Sequence, residues 1–200
     1  MSALPLLSIY ADESCLGNGR EGENPGGAGV LVEYVHAGAL VRRDLWVSEP
    51  GTTNNRMALR SVIEAFAAVG AKGASFRARF TTDSRYIVDG MTSWVFGWAQ
   101  RGWQRKTGPI ENLPLWHDAL RAAEGHAIQW KWVKGHAGHP QNEYANHLAT
   151  RAAKEQDRSD GLIVSGFDAW YAAHGRGAAI APFPDGDTFR ADPSLPHPPA

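Results

Sequence analysis

Alternation of apolar and polar residues opens the chain: Leu7, Ile9 and Ala11 fall on one face of an extended segment, Tyr10 and Asp12 on the other. This predicts a first strand over residues 6–12, with Asp12 at its C-terminal end. A glycine-rich turn follows over 17–29, and residues 30–35 and 39–47 read as two further strands of a meander. The period then lengthens from two to 3.6. Met57, Val62, Phe66 and Val69 lie near one face of a helix that Asn54 or Asn55 can cap and that runs to about Val69. Residues 76–82 make a fourth strand, ending on Asp83 much as the first ends on Asp12. Ser84 opens a helix through Trp94 and Trp98, residues 113–123 form another, 127–133 a fifth strand and 140–154 a closing helix. Pro140 sits near the start of that helix, where a missing amide hydrogen costs nothing. Three antiparallel strands followed by strands alternating with helices predict an α/β fold: a five-stranded mixed sheet flanked by helices. Ligands of such sheets gather at the carboxyl ends of strands, where Asp12 and Asp83 both fall.

Composition changes this picture only near the end. Of 200 residues, 43% are hydrophobic, enough for one globular domain with an appendage. The main domain is expected over 1–157. Residues 158–176 read as a short packed extension around Phe167, Trp170 and Tyr171. Residues 177–200 hold six of the twelve prolines and read as disordered. The first residues lack a basic segment and a long apolar run, and no later run approaches a membrane span, so a soluble, cytoplasmic monomer is expected. Cys15 is the only cysteine, which excludes an intramolecular disulfide and a cysteine zinc site.

A net charge of −1 does not announce a nucleic-acid partner; local charge does. Residues 90–110 contain no acidic residue, and Arg101, Arg105 and Lys106 are interleaved there with Trp94, Trp98 and Trp103. A second acid-free window, 125–142, carries Lys131 and Lys134 with histidines in and around it. Cations for phosphates and flat rings for sugars or bases are the needs of a nucleic-acid groove. Trp94 and Trp98, four apart, also suit the buried stripe of a helix.

Four motifs stand in order along the chain: YADESCLGN over 10–18, TTNNRM over 52–57, Thr82-Asp83-Ser84 with Tyr86, and WVKGHAGHP over 132–140 followed by Asn142. Each alone is weak. Together they resemble the bacterial type 1 ribonuclease H family over roughly residues 6–154, and the segment from Trp94 to Trp103 resembles that family's basic protrusion. The resemblance implies a ribonuclease H-like fold. It implies endonucleolytic hydrolysis of the RNA strand of RNA–DNA hybrids by a two-metal-ion mechanism, with Mg²⁺ or Mn²⁺ and 5′-phosphate products.

Two divalent cations need clustered oxygen ligands. The family uses four acidic residues, and Asp12 and Asp83 match two of them. Ala58 stands where the third, a glutamate, belongs, and Asn146 replaces the fourth, an aspartate. Glu13 follows Asp12 where relatives usually carry glycine. A strand end or bulge at Asp12 would release Glu13 from strict alternation and let it reach the same metal. The expected metal set is therefore Asp12, Glu13, Asp83 and Asn146, the amide keeping an oxygen without charge. The alternative is a hybrid-binding module impaired in cutting. Resemblance also assigns His136 to proton transfer or product release, Asn18 and Thr53 to a DNA phosphate, and Asn54, Asn55 and Arg85 to the minor groove of the hybrid. Trp94, Trp98, Trp103, Arg105 and Lys106 complete the expected substrate contacts.

Overall fold

The computed structural model describes residues 4–17, 24–71 and 73–199. Six strands form one sheet: β1 (Leu6–Cys15), β2 (Gly26–His36), β3 (Ala39–Glu49), β4 (Arg77–Thr82), β5 (Ala127–Trp132) and β6 (Ile163–Val164), in the order β5-β4-β1-β2-β3-β6. β1, β4 and β5 run parallel; the other pairings are antiparallel. The sheet has one strand more than expected. β6 is two residues long, too short to carry an alternating pattern, and it forms by pairing with Arg43 and Asp44 of β3.

Helices cover both faces. On one lie α1 (Asn54–Gly70) and α4 (Leu113–Ala123), with α2 (Arg85–Asp89) and α3 (Val95–Gln100) joined by a π turn over Gly90–Trp94. Ile9, Ala11, Ala58, Phe66, Phe80 and the fully buried Trp116 pack together there. On the other face α5 (Pro140–Glu155) and α6 (Phe167–His174) enclose Tyr10, Leu31, Tyr144, Leu148 and Phe167. Thr53, rather than either asparagine, caps α1, its hydroxyl accepting from the Arg56 N–H.

Three glycines expected in a turn, Gly26, Gly27 and Gly29, belong instead to β2. A Cβ on Gly27 or Gly29 would strike the backbone of α5 at Ala149 or Ala145, so these positions let that helix lie directly on the strand.

The segment beyond Arg176 is also unlike the disorder expected from its prolines. Its backbone runs from α5, where Gln141 exchanges hydrogen bonds with Ala181, past Arg77, which donates to the Gly186 carbonyl, to the outer edge of β5. There Asp192 donates its N–H to the Ile128 carbonyl and accepts from the Trp130 N–H. Phe189 is buried beneath the Arg77 guanidinium. Composition alone misses this strap because a few anchoring residues, not a periodic face, attach it.

Candidate active site

β1 and β4 pair in parallel only as far as Ala11 and Thr82. Past that point β1 continues for four residues beside β2 alone, and Asp12, Glu13 and Asp83 meet in the notch. Ligand oxygens from all three carboxylates lie within 4.8 Å of one another. The expected strand end or bulge at Asp12 is absent, since the β1–β2 register runs unbroken through Asp12↔Gly29 and Glu13↔Ala28. Alternation therefore holds, and it explains the site. Asp12 faces α5, while Glu13 follows Ile9 and Ala11 on the α1 face, the face that also holds Ala58. With β4 ended, side chains from both faces reach the same space.

Local contacts hold each carboxylate. Asp12, only 6% exposed, accepts from the Glu13 N–H at 2.7 Å and from the Asn142 side-chain amide at 2.9 Å. The other amide atom, Asn142 Oδ1, is buried with no partner among the described residues. A hydrogen bond from Ser84 reaches Glu13. Asp83 is flanked by the loop after β5: Trp132 Nε1–H donates to its carbonyl at 2.9 Å, and Gly135 passes so close that a Cβ would collide with Oδ2.

Burial and mutual repulsion dominate the electrostatics of the notch. Burial, and then the neighbouring Asp83, push the Asp12 carboxyl up to about 8, against the opposing pull of the Glu13 N–H and Asn142. Burial and both neighbours hold Glu13 well above the usual carboxylate range. Burial raises Asp83 as well, although its own backbone amide and His136 oppose the shift. Three acids crowded with no ion-pair partner among the described residues, beside a buried amide oxygen without a donor there, are the oxygen-rich surroundings a hard divalent cation requires.

The remaining expected residues are more dispersed. His136 lies within electrostatic reach of Asp83, in a loop where its backbone is left-handed at φ 51°. Asn146 is one turn beyond Asn142 on α5, half-buried, with its Oδ1 accepting from Thr150; no contact joins it to the three acids. His139 caps α5, its Nδ1 accepting from the Asn142 N–H. Thr53 and Asn55 are exposed at the start of α1, and Asn54 is half-buried there with no partner for its Oδ1 among the described residues. Asn18 lies outside the described residues. Arg85 is exposed and lays its guanidinium over Trp132 at 4.1 Å.

In the protrusion Trp94 remains 38% exposed and, with Arg105, lines a groove of about 330 Å³; Lys106 is exposed nearby. Trp103 is half-buried against His117. Trp98 lines the same groove, although most of its ring is buried edge-on against Trp116.

Sequence reasoning passed over four residues here: Asn142, Ser84, Gly135 and Trp132. All stand inside the quoted motifs. Asn142 also precedes Asn146 by four residues, the spacing that puts two side chains on one helical face.

An acidic notch at the carboxyl ends of parallel strands, on a mixed sheet sandwiched by helices, places the molecule in the ribonuclease H-like class of α/β proteins. The sequence profile of the RNase H family matches residues 6–154. A ribonuclease H of Erythrobacter litoralis is 42% identical over 151 residues, 75% of this chain and 97% of that protein. One from Methylococcus capsulatus is 38% identical over 78% of this chain and 94% of its own length. The chain belongs to the ribonuclease H family. Among solved structures, LC9-RNase H1, a type 1 RNase H with the type 2 active-site motif, superposes with a TM-score of 0.91 at 65% identity, covering 98% of this chain and 96% of that one. The extension beyond the family profile thus falls within that match. The RNase H domain of PFV, 17% identical, shares the fold with a TM-score of 0.63 over 78% of this chain and 98% of its own.

Proposed function

We propose that this protein cuts the RNA strand of RNA–DNA hybrids internally, leaving 5′-phosphates, with Asp12, Glu13 and Asp83 as the metal-holding carboxylates. The observation that carries the reading is the meeting of those three acids in one notch. It counts against a binding module that has lost its chemistry, because Glu13 approaches from the face where Ala58 stands and supplies the charge that Ala58 lacks.

Bound Mg²⁺ or Mn²⁺ would lower the pKa of the attacking water and offset charge on the leaving oxygen. The chain's own residues do the positioning. Asn142 and the Glu13 N–H orient the two oxygens of Asp12, and Ser84 orients Glu13. Gly135 lets the histidine loop close against Asp83. From that loop His136 would deliver a proton to the departing 3′ oxygen. Asn146, on the α5 face beside His136, offers an uncharged oxygen at the margin of the site. Arg85, held flat on Trp132, and the amide and hydroxyl groups of Thr53, Asn54 and Asn55 suit the shallow groove of a hybrid, where 2′-hydroxyls mark RNA.

The test uses labelled RNA–DNA hybrid, double-stranded RNA and double-stranded DNA, each with Mg²⁺ or Mn²⁺, alongside Asp12→Ala. Cleavage confined to the RNA of the hybrid, and abolished in Asp12→Ala, is expected. Binding without cutting in either metal would overturn the proposal.

A further inference from the structure

A second groove, of about 680 Å³, starts at the active-site loop and runs between α5 and α6. His136 and Asn146 line its near end; His147, Trp170, His174 and Arg176 line its far end. Apart from His147 of α5, the far wall is built by the extension, which lies outside the family profile ending at 154. That wall is well anchored. Phe167 is fully buried, and Asp44 of β3 accepts from the Tyr144 hydroxyl, the Ser165 hydroxyl and the Gly166 N–H.

Flat rings dominate the wall. Trp170 and His174 stack with centroids 5.5 Å apart and planes 20° from parallel, and His147 lies 6.0 Å from Trp170. Burial, followed by the charges of Arg151 and His174, pulls the His147 imidazole below its ordinary range. Beside the rings, Arg176 is exposed and makes no ion pair or side-chain hydrogen bond among the described residues. The Trp170 indole N–H is likewise unpartnered there. Glu143 also lines the groove, but its Oε1 accepts the Gly138 N–H and so steadies the histidine loop. A metal centre fits poorly, since the His174 Nδ1 is engaged by the Trp170 carbonyl and no three metal-ligating side chains converge here among the described residues.

An aromatic shelf with a free guanidinium is the arrangement that holds single-stranded nucleic acid by stacking and phosphate contact. Base faces are accessible to such a shelf only where a strand has left its duplex. We infer that the α5–α6 groove binds unpaired RNA: the continuation of the cut strand where it runs off one end of the hybrid. The inference rests on the proposed function for the strand's identity, and on the groove's continuity with His136 for its path.

The experiment measures fluorescence anisotropy in chelator, so that no cutting occurs, on the full chain and on a His174→Ala/Arg176→Ala double variant. The probes are a blunt hybrid and hybrids with a short overhang at the 5′ or 3′ end of the RNA, or on the DNA strand. For the parent, one of the RNA overhangs should tighten binding by about tenfold over the blunt hybrid, the scale of one stacked base. In the variant that ratio should fall to about one. No gain from either RNA overhang, an equal gain from a DNA overhang, or a gain that survives in the variant would overturn the inference. Cleavage of the blunt hybrid with Mg²⁺ or Mn²⁺, run in parallel, tests the enzymatic reading separately.

Discussion

At Asp12 and Glu13 the folded chain keeps protons that an unfolded chain would already have released. Both carboxyls titrate above the ordinary range, Asp12 at about 8. From the usual carboxylate pKa up to about that value, the native state binds more protons than the unfolded one, so stability falls as pH rises. Above the range of the histidines that burial holds low, His117, His126, His139 and His147, the metal-free protein should therefore melt lower at about pH 8 than at about pH 7. Added Mg²⁺ or Mn²⁺ should restore the loss, because a ligand bound only by the native state stabilises it. Thermal melts at the two pH values, with and without metal, check this; a metal-free protein that gains stability across the window would contradict it. Glu13→Gln removes one of the repelling charges, so it should raise the metal-free melting temperature at the higher pH. Glu13→Gly should cut turnover at least about a hundredfold, roughly 3 kcal/mol of barrier, while hybrid binding persists. Adding Ala58→Glu should recover part of that turnover, since both positions open onto the same face of the sheet. The residue types were legible before the structure: acids at strand ends are conspicuous. The means by which Glu13 arrives were not. It needs no bulge, only the early end of β4, and that follows from strand pairing rather than from the local pattern around Asp12.

Among the elements, the strap over residues 177–199 carries the clearest consequence. Parallel edge strands expose unpaired backbone groups, and Asp192 satisfies one donor and one acceptor of β5. Truncation after Arg176 would uncover that edge together with the site of Phe189. The shortened protein should melt at a lower temperature and aggregate sooner, while single-site chemistry at the opposite end of the strands continues. Calorimetry and light scattering on the truncated chain test this, and an unchanged melting temperature would show the strap to be passive. Asp192→Ala alone should reproduce part of the loss, at about 1–3 kcal/mol for leaving the Trp130 amide without its partner. Strands, helices and their order were readable from periodicity because each carries a buried face. The strap and β6 were not, because both take their conformation from a neighbouring strand and have no periodic face of their own.

For the molecule as a whole, a net charge of −1 means that attraction to a polyanion arises from placement rather than total. Arg101, Arg105 and Lys106 are all exposed on the protrusion. Replacing the three by alanine should weaken hybrid binding and reduce the slope of log K against log salt by up to about 3, near 0.9 for each lost phosphate contact. Titrations at several salt concentrations decide it, and an unaltered slope would remove the protrusion from the interface. Gly27 and Gly29 give the fold a different kind of sensitivity. They sit on β2 and carry no functional side chain, yet the helix resting on them also carries Asn142 and, through it, the aim of Asp12, the residue that Gly29 faces across the β1–β2 pair. A methyl group at Gly29 would act as a wedge under α5, tilting a lever whose far arm is the catalytic notch. Damage of that kind would register as a chemical defect in a protein that still folds, from a residue that brings no chemical group of its own.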